Sequence, residues 1–273
     1  MKELTTRLIF GALFVTILVL SAQQQYALTI LFFVFGLICL KEFNQLIEQR
    51  NIFSYVIFSI LYGTFAFWDV LTGNINGLDE VTQILHVVSI FVLLFLIRDL
   101  FSSKSLPKLL TNRYINTTFY ISSGILFLLL IANNFGTYSP KNIIGIFVLI
   151  WINDSFAYLV GKNFGKQKLF ESVSPKKTVE GFLGGVFFSA IGGYIIFEIT
   201  QNVLFSKWLI LSVIVSVFGT IGDLIESKYK RQAEVKDSGT LIPGHGGLLD
   251  RLDSAIFVAP FIYLFLRLLN YVS

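Results

Sequence analysis

The sequence predicts an all-α integral membrane protein that crosses the bilayer repeatedly, with about nine transmembrane helices and a cytoplasmic N-terminus. Hydrophobic residues make up 55% of the 273 residues and charged residues only 14%, whereas a soluble domain carries about 25% charged residues. Apolar runs of spanning or nearly spanning length recur along the chain. Basic residues are also concentrated in alternate connections between these runs, as expected when they mark one side of a membrane.

Nine apolar runs account for the predicted helices. They cover residues 8–22, 26–40, 54–71, 84–101, 115–133, 142–161, 179–199, 207–225 and 253–271. The first two runs are short, so they either extend into their flanks or form a hairpin that does not fully cross. The first run also resembles a signal peptide, because basic residues precede its apolar core. Since many spans follow, we interpret it as a retained helix or an uncleaved anchor.

The positions of Lys and Arg set the predicted orientation. With a cytoplasmic N-terminus, 18 of the 21 basic residues lie on the cytoplasmic side, Lys141 and Lys207 lie opposite, and Arg267 lies within the last run. This asymmetry is the positive-inside pattern. It explains the net charge of +4 without a nucleic-acid partner, and none is expected. The longest cytoplasmic segments fall in the second half, so residues 134–273 are predicted to be catalytic and residues 1–133 a packing scaffold.

Carboxylates inside two of the second-half runs are candidates for function, because charged residues within a span are costly. Asp154 lies several residues inside the sixth run, where an interhelical hydrogen bond is the structural alternative. Asp223 shares a helix face with Gly219, Gly222 and Glu226. The two glycines on that face predict space for a group larger than a side chain.

The segment SPKKTVEG, residues 174–181, predicts a phosphate site. Ser174 and Pro175 are typical of an N-cap and a first helical position, which would place Lys176 and Lys177 at a helix N-terminus that favours anions. The alternative is that these lysines only anchor the helix end to anionic lipid. Four glycines on the following helix predict close packing against a neighbouring helix: Gly181, Gly184, Gly185 and Gly192.

The segment KDSGTLIPGHGGLLDRLDS, residues 236–254, is a polar insert between two apolar runs. Its glycines free backbone amides to face a ligand, and Asp250 and Asp253 share a helix face. Carboxylates with phosphate groups are typical of Mg²⁺ sites, and basic residues neutralise the remaining phosphate charge. The clusters therefore predict a polyphosphate site at the membrane surface, where the second substrate would be a lipid.

The run S-x-Y-K-R-x₄-K-D-S-G-x₂-I-P-G-H-G-G-x₂-D-R-x-D, from Ser227 to Asp253, closely resembles the signature of phosphatidate cytidylyltransferases. SPKKTVEG and the residues around Asp154 also resemble features of that family. The resemblance is strong over 150–255 and general over the first 130 residues. It implies that CTP and phosphatidate give CDP-diacylglycerol and pyrophosphate, with Mg²⁺, at the cytoplasmic face of a bacterial inner membrane. It also implies a homodimer.

The resemblance assigns roles by motif position. Asp223 and Asp250 are the expected principal metal ligands, with Asp154 and Asp253 as second choices. Lys176 and Lys177 would hold substrate phosphate. Asp223, Asp250, Lys236 and Lys177 form the expected catalytic set. The remaining residues expected to contact substrate are Lys230, Arg231, Gly244, His245, Gly246, Gly247 and Arg251. For Arg251, pairing with a nearby carboxylate is the alternative.

Two other functions are compatible with parts of the pattern. A CTP-dependent lipid kinase, of the dolichol or phytol type, would release CDP instead of pyrophosphate. An ion-coupled transporter would place its carboxylates along an ion path, but the polar residues gather on one predicted side and no internal repeat is found. A scaffold with a degenerate site is a third alternative, which the intact set of acidic and basic residues disfavours.

Overall fold

The computed structural model describes residues 2–72, 78–102, 112–133, 138–200, 205–244 and 246–272. Nine helices run through these residues: α1 Lys2–Ser21, α2 Gln25–Leu46, α3 Phe53–Thr72, α4 Leu78–Phe101, α5 Arg113–Ala132, α6 Pro140–Phe164, α7 Val179–Thr200, α8 Phe205–Gln232 and α9 Leu249–Val272. Each helix overlaps one predicted apolar run. Within the described residues, seven helices are long and apolar enough to cross a membrane, namely α2 and α4 to α9. The predicted all-α membrane fold is confirmed, while nine crossings and a cytoplasmic N-terminus stay predictions.

Helix α2 extends into its flank and ends at Leu46 rather than at residue 40. This extension places Glu42 inside an apolar helix, where it is buried. Helix α5 contains one π-helical turn over Thr117–Ser122, and the Ser122 hydroxyl donates to the Thr117 carbonyl at 2.8 Å. Such turns often occur near functional sites.

Helices α5 and α9 form the centre of the bundle, and α7 lies at its edge. In the most apolar stretch of each helix, the buried share is 78% for α5 and 67% for α9, but only 28% for α7. Large apolar side chains on α7 such as Leu183, Phe187 and Ile199 are exposed. A bilayer accommodates such a face because lipid tails are as apolar as the side chains.

The glycines of α7 allow its close approach to α6. A methyl group at Gly185 would lie 2.7 Å from Asn153 Oδ1. At Gly181, a methyl group would lie 2.6 Å from the Ala157 carbonyl oxygen. Both distances are below a normal van der Waals contact, so the predicted packing role of this stripe is confirmed.

The two glycines that share a face with Asp223 make room for a group larger than a side chain, as predicted, and that group is helix α9. A methyl group at Gly222 would lie 3.2 Å from the Asp253 carbonyl oxygen and would also meet the Phe257 side chain. The Ser254 hydroxyl donates to the Gly219 carbonyl at 3.1 Å. The small residues of α8 thus allow α9 to approach, which brings the carboxylates of the two helices together.

The predicted helix start at Ser174 is wrong, because this segment forms a strand. Lys168–Phe170 (β1) and Ser174–Thr178 (β2) pair antiparallel, with Lys168 opposite Thr178. Helix α7 starts only at Val179, and the Thr178 hydroxyl accepts a hydrogen bond from the Gly181 amide at 3.1 Å, as an N-cap does. Neighbouring strand residues face opposite sides, so Lys176 is exposed whereas Lys177 is half-buried.

Candidate active site

Three carboxylates converge where α8 and α9 pack together. One oxygen from each of Asp223, Glu226 and Asp253 lies within 4.8 Å of the others. The spacing of three residues puts Asp223 and Glu226 on one face of α8, and Asp253 is in the second turn of α9. Glu226 is fully buried and Asp253 is 8% exposed. Three acidic groups this close need positive charge to stay ionised, and we call them the carboxylate cluster.

Lys177 brings positive charge to the carboxylate cluster from the β-hairpin. Its ammonium group forms an ion pair with Asp223, and the Ser227 hydroxyl donates to the other oxygen of Asp223 at 3.1 Å. The strand conformation explains why Lys177, and not Lys176, makes this contact. The hairpin thus contributes to the site as a short arm between α6 and α7.

Lys230 brings a second positive charge to the same cluster. Its Nζ forms an ion pair with Glu226, one helical turn earlier, and lies 2.7 Å from Asp250 Oδ1. The side chain of Lys230 is 11% exposed, that of Asp250 5% and that of Glu226 0%. Charge pairs shielded from water in this way interact strongly.

Asp250 connects Lys230 to the glycine-rich loop, which we define as residues 236–248. Its Oδ2 accepts hydrogen bonds from the Ser238 amide at 2.9 Å, the Ser238 hydroxyl at 3.0 Å and the Gly247 amide at 2.7 Å. The structure therefore places Asp250 beside the carboxylate cluster, with protein donors at both oxygens. Its role as a metal ligand stays a prediction.

The described residues of the glycine-rich loop line an open polar cavity of about 420 Å³, which we call the loop cavity. Lys236, Gly244, Gly246 and Arg251 are among its lining residues. Gly244 and Gly246 have φ angles of 76° and 85°, a left-handed conformation that glycine adopts without steric cost. His245, which lies between them, falls outside the described residues, so its predicted ligand contact stays a prediction.

A second cavity, of about 190 Å³, lies within the helical bundle, and we call it the bundle cavity. Helices α1, α6 and α9 and the glycine-rich loop all line it: Phe10, Gly11, Phe14, Val15, Ile150, Trp151, Asp154, Ile242, Asp250, Arg251, Asp253 and Ser254. Asp154 and Asp253 therefore face a common space. Ile242 and Arg251 line both cavities, so the loop cavity and the bundle cavity adjoin beside the carboxylate cluster.

The remaining predicted residues lie at the periphery of this arrangement. Lys176 is exposed on β2. Arg231 donates to the Val235 carbonyl at 3.2 Å and to the Val173 carbonyl at 3.5 Å, so it joins the hairpin to the loop. Gly247 is a buried residue of the loop. The structure thus gathers Lys177, Asp223, Lys230, Asp250 and Asp253 at one place, and leaves Lys176 and Arg231 outside it.

Sequence reasoning assigned no role to two acidic residues of the site. Glu226 completes the carboxylate cluster, and its position on the same predicted helix face as Asp223, three residues later, was a usable signal. Glu42 on α2 accepts hydrogen bonds from the Leu248 and Leu249 amides at 3.1 and 2.7 Å. Its signal was hidden, because the predicted run ended at residue 40 and left Glu42 in a connection.

Comparisons with known proteins agree with the motif. A model of the cytidylyltransferase family matches residues 2–269. Phosphatidate cytidylyltransferase of Bacillus subtilis (strain 168) is 48% identical over 124 residues, which are 45% of this chain and 46% of that protein. The protein of the same name from Staphylococcus aureus (strain COL) is 47% identical over 123 residues, 44% of this chain and 46% of that protein. The matched region thus spans about half the length of these relatives.

Proposed function

This chain belongs to the cytidylyltransferase family, and on that basis we propose that it transfers the cytidylyl group of CTP to phosphatidate, giving CDP-diacylglycerol and pyrophosphate. The observation that carries this proposal is the position of the carboxylate cluster, which lies beside two lysines and contributes Asp253 to the partly apolar bundle cavity, itself adjoining the polar loop cavity. A reaction between a water-soluble nucleotide and a lipid requires both environments at one point. The relatives named phosphatidate cytidylyltransferase support these substrates.

The carboxylate cluster has the chemistry of a divalent-cation site. Its oxygens are hard donors, and Glu226 Oε1 is buried without a hydrogen-bond partner among the described residues. Magnesium is commonly held by one or two carboxylates together with phosphate oxygens and water. We propose that Asp223, Asp253 and Glu226 hold Mg²⁺, with Asp154 across the bundle cavity as a further ligand and Asp250 as the alternative. When bound, the ion would neutralise phosphate charge.

The basic residues of the site supply the remaining charge neutralisation. Lys177 and Lys230 already contact the carboxylate cluster, so in our proposal they lie next to the reacting phosphates. Lys236 and the loop amides would hold the β- and γ-phosphates and stabilise the departing pyrophosphate. Arg251 lines both cavities, which suits contact with the lipid phosphate. Lys176, Arg231, Gly244, His245, Gly246 and Gly247 are proposed to contribute to phosphate binding around the loop.

The reaction we propose is an in-line displacement. A phosphate oxygen of phosphatidate attacks the α-phosphorus of CTP, the new P–O bond forms, and the bond to the β-phosphate oxygen breaks to release pyrophosphate. Because the attacking oxygen is already anionic, no general base is needed. The contribution of the protein is to position the two substrates and to neutralise their charge.

The proposal extends to membrane placement and assembly. The positive-inside pattern supports a site on the cytoplasmic face of a bacterial inner membrane. Residues 134–273 would carry most of the chemistry, while helices of residues 1–133 pack around it and α1 closes the bundle cavity. A homodimer is proposed from the motif resemblance, and light scattering of the detergent-solubilised protein would measure the oligomeric state.

The deciding experiment is product analysis with the purified protein in detergent. We expect pyrophosphate and CDP-diacylglycerol only when CTP, phosphatidate and Mg²⁺ are all present, with chelator and lipid-free reactions as controls. Release of CDP together with a phosphorylated lipid alcohol would instead identify a lipid kinase. If a folded preparation turns over no nucleotide, the transferase proposal is wrong. Ion transport then becomes the better explanation for the carboxylates within the helices.

A further inference from the structure

The carboxylate of Glu42 caps helix α9 although it belongs to α2. Its Oε1 lies 3.1 Å from the Leu248 amide and its Oε2 lies 2.7 Å from the Leu249 amide. The first amides of a helix have no partner within the helix, and a negative charge is favourable at that end. Glu42 is 5% exposed, so these hydrogen bonds are shielded from water. A residue distant in sequence therefore determines where α9 begins.

The same carboxylate also shapes the glycine-rich loop before α9. The Ser238 hydroxyl lies 3.3 Å from Glu42 Oε2. A methyl group at Gly239 would lie 2.9 Å from Glu42 Cδ, and one at Gly247 would lie 2.6 Å from Oε2. The absence of side chains at Gly239 and Gly247 thus lets the loop backbone contact Glu42, because a side chain at either position would collide with the carboxylate. The loop backbone is wrapped around this one acidic group.

A continuous set of polar contacts links Glu42 to the carboxylate cluster. The Ser238 hydroxyl that contacts Glu42 also lies 3.0 Å from Asp250 Oδ2. The other oxygen of Asp250 contacts Lys230, and Lys230 pairs with Glu226. Glu42 is therefore at the outer end of a network whose inner end is the candidate metal site.

We propose that Glu42 is a positioning residue for the nucleotide. It touches no reacting atom, but it holds the loop that lines the loop cavity in the shape that receives the triphosphate. This inference rests on the proposed function. It assigns a part of substrate binding to α2, which the sequence indicated was only a packing element.

The test is Glu42→Gln, which keeps the size of the side chain but replaces one accepting oxygen with an amide donor. Loss of a charge-assisted hydrogen bond leads us to expect a rise of about tenfold in KM for CTP. KM for phosphatidate should stay within about twofold of wild type, since Glu42 contacts the loop that lines the loop cavity and does not itself line the bundle cavity. The matched control is Glu48→Gln, an exposed glutamate just past the end of α2 whose backbone carbonyl, rather than its carboxylate, binds Arg113. This control should leave both KM values unchanged.

Amide hydrogen exchange tests the contacts of Glu42 independently of the proposed enzymatic activity. Exchange at the Leu248 amide, the Leu249 amide or both should accelerate in Glu42→Gln whether or not the protein is a cytidylyltransferase, because one of the two oxygens that accept from these amides is replaced by an amide donor. If wild type fails to convert CTP, the proposed function is wrong, and direct titration of CTP onto wild type and Glu42→Gln still measures nucleotide positioning. Unchanged CTP affinity in that titration, or an unchanged KM in an active enzyme, overturns the inference.

A second variant covers the case in which Glu42→Gln does not fold. Ser238→Ala removes the hydroxyl that links Glu42 to Asp250 and leaves the cap on α9 in place. We expect KM for CTP to rise several-fold. Where Glu42→Gln does fold, the effects of the two substitutions should be less than additive in the double variant, because both act through one loop. If KM for CTP is unchanged in Ser238→Ala, Glu42 only supports the fold. Equal rises in KM for CTP and in KM for phosphatidate would lead to the same conclusion.

Discussion

The ammonium group of Lys230 lies 2.7 Å from Asp250 Oδ1. Because Lys230 is also paired with Glu226, it joins the glycine-rich loop to the carboxylate cluster through a single cation. The two acidic side chains are almost fully shielded from water, at 5% and 0% exposure. Loop and cluster are therefore electrostatically coupled, and the consequences of removing the cation can be predicted.

Lys230→Met should strongly destabilise the protein and abolish turnover. Removing one partner of a buried ion pair typically costs about 3–5 kcal/mol, because the remaining charge is left uncompensated. Thermal unfolding in detergent and pyrophosphate release would measure the two effects. Lys228→Met is the control, since Lys228 pairs with Asp99 at 25% and 27% side-chain exposure and should lose only about 1 kcal/mol or less. Equal losses of stability in Lys230→Met and Lys228→Met would contradict the electrostatic coupling between the loop and the carboxylate cluster.

Asp223→Asn should leave the fold intact but remove activity. The substitution preserves the shape of the side chain, weakens the contact with Lys177 and removes one carboxylate from the cluster. A loss of about 3 kcal/mol of transition-state stabilisation would lower turnover about a hundredfold. Asp99→Asn, which weakens the ion pair between α4 and Lys228 of α8, should retain activity. Full turnover by Asp223→Asn in detergent would rule out Asp223 as a metal ligand.

Gly185→Ala should destabilise the contact between α6 and α7. The added methyl group would lie 3.0 Å from the Asn153 carbonyl oxygen, which cannot move without shifting the helix. Overpacking of this kind costs about 1–3 kcal/mol. Gly63→Ala is the control, since a methyl group there meets no described atom within 4 Å, and alanine favours a helix by up to about 1 kcal/mol. A melting temperature of Gly185→Ala at or above that of Gly63→Ala would contradict this account.

The helices could be predicted from the sequence because spanning a bilayer is a local requirement. Each apolar run must satisfy its own backbone hydrogen bonds, so each of the nine runs overlaps one of the nine described helices. The β-hairpin was missed because Ser174 and Pro175 are equally compatible with a helix start and with an edge strand. Here the antiparallel partner, Lys168–Phe170, decided between them.

The candidate site could be predicted only in part, because its geometry depends on contacts between distant segments. Motif position placed Asp223, Lys230 and Asp253 in one region, and the structure brings them together. The contact of Glu42 with Leu249 spans 207 residues of sequence, and no local pattern reports such a pairing. The same holds for the contribution of α1 to the bundle cavity.

Asp250→Asn and Asp253→Asn should separate loop support from metal binding. Both residues begin α9, but Asp253 belongs to the carboxylate cluster, whereas Asp250 accepts hydrogen bonds from Ser238 and Gly247. We therefore expect Asp253→Asn to raise the Mg²⁺ concentration needed for half-maximal activity by about tenfold or more. Asp250→Asn should mainly raise KM for CTP, because the asparagine amide cannot accept all the donors that Asp250 does. Titration of Mg²⁺ at saturating CTP, and of CTP at saturating Mg²⁺, measures both quantities. A larger shift in Mg²⁺ requirement for Asp250→Asn than for Asp253→Asn would make Asp250 the ligand and Asp253 the support.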